Sequence, residues 1–133
     1  FKALLTFRVP TLSVSESGKE LVFAQKGYLN IANCPQYARG LALVPEASSV
    51  KGELCARFYP HRTVFFYFRW FLPLLFRKPL RGVVSECILA KELEVKSSTG
   101  PVSVQADGEA VGVLPVSVSI SKQTLRILTR GAP

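Results

Sequence analysis

Between Val102 and Ile120 apolar residues alternate with small polar ones, in the runs Val102-Ser-Val-Gln-Ala106, Ala110-Val-Gly-Val-Leu-Pro115 and Val116-Ser-Val-Ser-Ile120. A period of two marks half-buried strands, so Asp107-Gly108, which breaks the pattern without lengthening it, predicts a hairpin turn. Upstream, short apolar runs from Lys2 to Val14 are interrupted by Pro10. Residues Ser15 to Lys19 read as a turn, and Glu20 to Ala32 as a long strand region. Cys34 to Ser49, with two prolines and Gly40, is expected to be a loop folded over a sheet end. Val50 to Tyr59 returns to strand, Val83 to Lys96 gives one or two strands, Ser97 to Pro101 turns, and the last three strands end near Thr129. Many short strands with one helical exception predict a mainly β chain: an antiparallel β-sandwich with one amphipathic helix.

The exception runs from His61 to Arg77, where Thr63 to Phe76 is apolar apart from Arg69 and lacks strict alternation. Its apolar run is shorter than the ~18 residues needed to span a bilayer, and Pro73 and Arg69 interrupt it. As a helix it puts Arg62, Arg69 and Arg77 on one face, with Phe65, Phe68, Leu72, Leu75 and Phe76 away from them. Two roles stay open: a core helix packed across a sheet, or a lipid-facing lid or interfacial anchor presenting Phe65, Phe68, Trp70, Phe71 and Leu72.

With 133 residues the chain has the size of one domain, residues 1–133. It begins at Phe1 and contains no Met, so it is read as a piece of a longer polypeptide. Seventeen Lys and Arg against nine Asp and Glu give a net charge of +8, which favours an anionic partner: a membrane surface, nucleotide phosphates or nucleic acid. Nucleic acid ranks last and is not expected, because the aromatics crowd into one segment instead of alternating with basic residues. Cys34, Cys55 and Cys87 are odd in number and widely spaced, which argues against a disulfide framework and a zinc site and suits a reducing compartment. The single His61 follows Pro60 in an expected loop and reads as a surface residue rather than a catalytic base.

Asp107 and Glu109 flank Gly108 at the predicted turn. One reading makes Asp107-Gly108 a provider of positive φ angles, with Glu109 merely solvated. In the other, an extended backbone points both carboxylates to one side, where they hold a divalent cation or share a proton transfer.

Leu29-Asn-Ile-Ala-Asn33, Arg39-Gly-Leu-Ala-Leu-Val-Pro45-Glu46-Ala47, Lys51-Gly-Glu-Leu54, Gln105-Ala-Asp-Gly-Glu109 and Leu125-Arg-Ile-Leu128 follow one another in an order that resembles a known family. The chain is similar, from about Phe7 to Leu128, to the C-terminal lipid-binding domain of the diacylglycerol kinase-like lipid kinases, which include YegS-type, sphingosine and ceramide kinases. The resemblance implies a nucleotide-binding N-terminal domain upstream, with ATP and Mg2+ as cofactors and a lipid as acceptor. It implies phosphoryl transfer between the two domains, in a cytoplasmic protein attached peripherally to an anionic membrane surface. The expected acceptor is diacylglycerol-like, and the isolated fragment is expected to be inactive.

The same resemblance assigns residues. Asp107 is the expected acceptor of the lipid hydroxyl proton and Glu109 a partner of the nucleotide-bound Mg2+. Gly108 and Asn33 would contact the cofactor, although a turn-stabilising role for Asn33 is equally open. Where many members carry an acidic cation-binding loop, this chain has Lys51, so no structural metal is expected there. Glu46 stands where the family usually has Asp, leaving a loop-capping role open. The alternative to a kinase half is a non-catalytic lipid-binding or membrane-targeting domain.

Overall fold

The computed structural model describes residues 9–36, 43–60 and 87–124, and every regular element among them is a strand. In chain order these are β1 (Thr11–Glu16), β2 (Lys19–Ala32), β3 (Leu54–Pro60), β4 (Ile88–Ala90), β5 (Glu92–Ser97), β6 (Ser103–Ala106), β7 (Glu109–Val113) and β8 (Val116–Ser119). Six strands form one sheet in the order β4-β3-β2-β1-β5-β8, while β6 and β7 form a separate ribbon. All pairings are antiparallel, in line with the alternation seen in the sequence. The expected helix, with Phe65, Phe68, Trp70, Phe71 and Leu72, lies outside the described residues. Among those residues no helix is long and apolar enough to cross a membrane.

The fourteen residues of β2 serve two neighbours. Its first part, Lys19 to Lys26, pairs with β1, and its second, Gly27 to Ala32, pairs with β3. Two register shifts in the β1 ladder place extra residues on β2, which bends and twists the strand as bulges do. At the changeover stands Gly27. Its N–H donates to the Pro10 carbonyl at 3.1 Å, and a Cβ built on it would collide with the Tyr59 carbonyl and lie 2.7 Å from the Phe58 ring. Only a residue without a side chain lets β3 come this close.

The bend lets the two wings of the sheet share one core. Leu12, Val14 and Val22 from the β1 wing pack with Ala56 and Phe58 of β3, Ala90 at the end of β4, and Leu93 of β5. This sandwich-like arrangement buries all of β3 except its final Pro60. The opposite face of β3 is covered by the loop before it, where Val44, Ala47 and Cys55 form a second small cluster.

The strand predicted from Val50 begins only at Leu54, because Ser49 to Gly52 turns, with Gly52 at φ +65° and Val50 90 % exposed. The cysteines are not all free: the sulfurs of Cys55 and Cys87 meet at bonding distance, with Cα atoms 5.9 Å apart. Sequence spacing hid this pair because it depends on the β3–β4 register. Cys55 lies opposite Leu89, which makes Cys87 its diagonal neighbour on the same face.

Candidate functional site

The Asp107-Gly108 turn has the form its composition predicts. Ala106 opposes Glu109, leaving a two-residue loop in which Asp107 has φ +48° and Gly108 φ +96°. Both central residues are left-handed, as a type I′ hairpin requires. The backbone at Asp107 is therefore not extended, and the condition under which Asp107 and Glu109 would share one side is not met. A register shift between Val104 and Gln105 adds Val111 to β7, all of whose residues are exposed. The ribbon thus stands largely in solvent with its turn at the tip.

This turn borders a groove of about 680 Å³. Leu12, Leu29, Ile31, Val95, Val116 and Val118 contribute apolar walls from both wings of the sheet. The polar residues on its lining include Asn33, Gln105 and Asp107, and Gly108 borders it as well. Of the four polar-site positions singled out in the sequence, the groove gathers Asn33, Asp107 and Gly108; Glu109 does not line it. The arrangement offers an apolar volume beside an exposed carboxylate, which suits a ligand with a hydrocarbon body and a polar head.

Lys51 stands in the exposed turn before β3, and nearby Glu46 has a different task. Its carboxylate is ion-paired with Arg57 of β3, whose side chain is only 8 % exposed. The open question of a loop-capping role is thereby answered by a tie between loop and strand. Around this pair, the Tyr59 hydroxyl donates to the Leu43 carbonyl at 2.8 Å. Burial pushes the Tyr59 phenol above its ordinary pKa, against smaller opposing effects of a side-chain hydrogen bond with Asn30 and the Arg57 charge.

This polar layer was not anticipated. Its one sequence signal is the alternation Cys55, Arg57, Tyr59 within β3, which sets three polar or polarisable residues on one face of a strand. The acidic and sulfur ligand atoms of Glu46, Cys55 and Cys87 lie within 4.8 Å of one another. However, the Arg57 guanidinium already occupies the Glu46 carboxylate, and its positive charge opposes a cation at that position.

A family model described as the YegS C-terminal NAD kinase beta sandwich-like domain matches residues 1–129. The chain belongs to this family. No curated protein matches the chain. As a YegS C-terminal domain it is a kinase-family β-sandwich domain, in agreement with the antiparallel architecture of its described residues.

Proposed function

We propose that this chain is the lipid-substrate-binding half of an ATP-dependent lipid kinase that phosphorylates the hydroxyl of a diacylglycerol-like lipid. The observation that carries the reading is the groove of about 680 Å³, which combines apolar walls with the Asp107 carboxylate at its border. Membership of the YegS C-terminal family supports the kinase part. In this reading acyl chains lie between the sheet wings and Asp107 accepts the proton of the attacking hydroxyl. ATP and Mg2+ are held mainly by an upstream nucleotide-binding domain, with Gly108 and Asn33 approaching the nucleotide and Glu109 reaching its Mg2+. Glu109 sits outside the groove lining, on the strand that leaves the turn, which suits a partner bound across the ribbon rather than within the groove. The net charge of +8 favours docking on an anionic membrane surface.

The test is diacylglycerol phosphorylation in mixed micelles by the full-length polypeptide, with Mg2+ and ATP. Asp107→Asn should retain lipid binding and lose roughly 10²-fold or more in turnover, the low end for a positioned proton acceptor. Wild-type turnover in that variant would remove Asp107 from the chemistry. Lipid binding by a wild-type protein that transfers no phosphate would favour a non-catalytic lipid-binding or membrane-targeting domain, a reading to which the lysine at position 51 gives weight.

A further inference from the structure

Cys55 and Cys87 lie where a covalent bond between them bears directly on the groove. Their Cα separation of 5.9 Å falls within the range a disulfide spans without backbone movement. Cys55 is fully buried beneath Val44 and Ala47, whereas Cys87 is half-buried at the edge of the same cluster. The third cysteine, Cys34, is exposed and free. Val44 belongs to the same buried cluster as Cys55 and Leu43 packs against that cluster, and both residues also line the groove.

We propose that Cys55 and Cys87 form a reversible thiol–disulfide site whose redox state sets the packing of the Leu43-Val44 wall of the groove. A hydroperoxide, the oxidant class a partly exposed thiol meets most directly, oxidises Cys87 to a sulfenic acid as its O–O bond breaks, and the corresponding alcohol leaves after taking up the thiol proton. Cys55 then attacks the sulfenic sulfur. The S–S bond forms, the S–O bond breaks and water departs. In sum two thiols give up two electrons and two protons, and the hydroperoxide becomes alcohol and water. A dithiol reductant reverses the change by thiol–disulfide exchange. The asymmetry in burial fits this division, with the reachable sulfur reacting first and the buried one resolving.

Reduction has a structural consequence because two separate thiols cannot approach as closely as two bonded sulfurs. In a close-packed interior the added room must come from neighbours, and the cluster around Cys55 holds Val44 and Ala47, with Leu43 and the β2 residue Ala32 packed against it. The Glu46–Arg57 pair holds the far side of that loop to β3. Displacement is therefore directed at Leu43 and Val44, toward the groove.

The test uses the full-length polypeptide carrying this chain, exposed to hydrogen peroxide or to dithiothreitol, alkylated and mapped by peptide mass. The oxidised protein should yield peptides of Cys55 and Cys87 joined and two hydrogens lighter than their sum, with Cys34 outside the cross-link in both states. Affinity for the apolar dye anilinonaphthalene sulfonate should differ between the two states by roughly 3-fold or more, the scale of a 0.65 kcal/mol change in wall packing. That difference should vanish in Cys87→Ser and persist in Cys34→Ser. Alkylation of both Cys55 and Cys87 after peroxide, pairing of either with Cys34, retention of stoichiometric zinc by the reduced protein, or equal dye affinity in the two wild-type states would each overturn the proposal. The mass map reads the wild-type protein, so it decides the bond even if the serine variant fails to fold. None of these readouts depends on kinase activity.

Discussion

Glu46, in the loop that covers β3, is ion-paired with Arg57, which lies beneath that loop with 8 % of its side chain exposed. The pair is asymmetric: Glu46 is 47 % exposed, and the Arg57 Nε has no hydrogen-bond partner among the described residues. Removing the carboxylate leaves a buried guanidinium without its counter-charge. Glu46→Gln should cost about 1–3 kcal/mol, below the ~3–5 kcal/mol of a fully buried pair because water reaches Glu46. Arg57→Met in the same background should recover much of the loss, since a buried hydrocarbon needs no partner. Urea midpoints of the three proteins check this; an unchanged midpoint in Glu46→Gln would show that the tie adds nothing.

Gly27 meets the carbonyl of Tyr59 and the ring of Phe58 so closely that no side chain fits. Gly27→Ala should destabilise by about 2–4 kcal/mol, as overpacking against backbone does, even though alanine usually favours a strand over glycine. The denaturant midpoint should fall while the groove remains in the surviving folded fraction.

Tyr59 gives a pH dependence with a definite sign. Its phenol is raised above 10.0 in the folded protein by burial, and the neutral form donates the hydrogen bond to Leu43. A folded pKa above the unfolded one contributes stability that is fully present below the unfolded value, and lost as pH rises through the folded value. Between wild type and Tyr59→Phe, the stability difference should therefore be constant below about pH 9 and shrink above pH 10. Unfolding measured across that range decides it.

Asp107 separates shape from charge. With φ +48° it occupies the left-handed region, which asparagine tolerates and a β-branched residue does not. Asp107→Asn should leave stability within about 0.5 kcal/mol, while Asp107→Val should cost about 1–2 kcal/mol by opposing the turn. Thermal unfolding of both variants then makes any loss of turnover in Asp107→Asn a statement about charge.

The ribbon turn was legible because Asp-Gly between alternating runs specifies a backbone conformation locally, with no need for distant contacts. The long β2 was legible for a similar reason, as its apolar positions persist from Leu21 to Ile31. The strand start was misread at Val50 because an apolar residue beside Lys51-Gly52 carries no sign of whether it faces core or water. Neither the Glu46–Arg57 tie nor the Cys55–Cys87 contact could be read from spacing, since both arise from how β3 registers with β4 and how a loop closes over it. The groove was equally hidden. Its border joins Asn33 to Asp107 only once β2 and the β6–β7 ribbon are folded onto the same opening.

Because β2 passes from one wing to the other without a break, neither wing has a complete set of strands of its own. Opening the β1 side frees the half of β2 that Val22 anchors in the common core, and opening the β3 side frees the half that holds Leu29 and Ile31. The two wings are accordingly expected to melt as a single foldon. Backbone amides of Val22 and Leu29, on opposite sides of Gly27, should then exchange with deuterium through the same global opening, and a ligand bound between the wings should slow both alike.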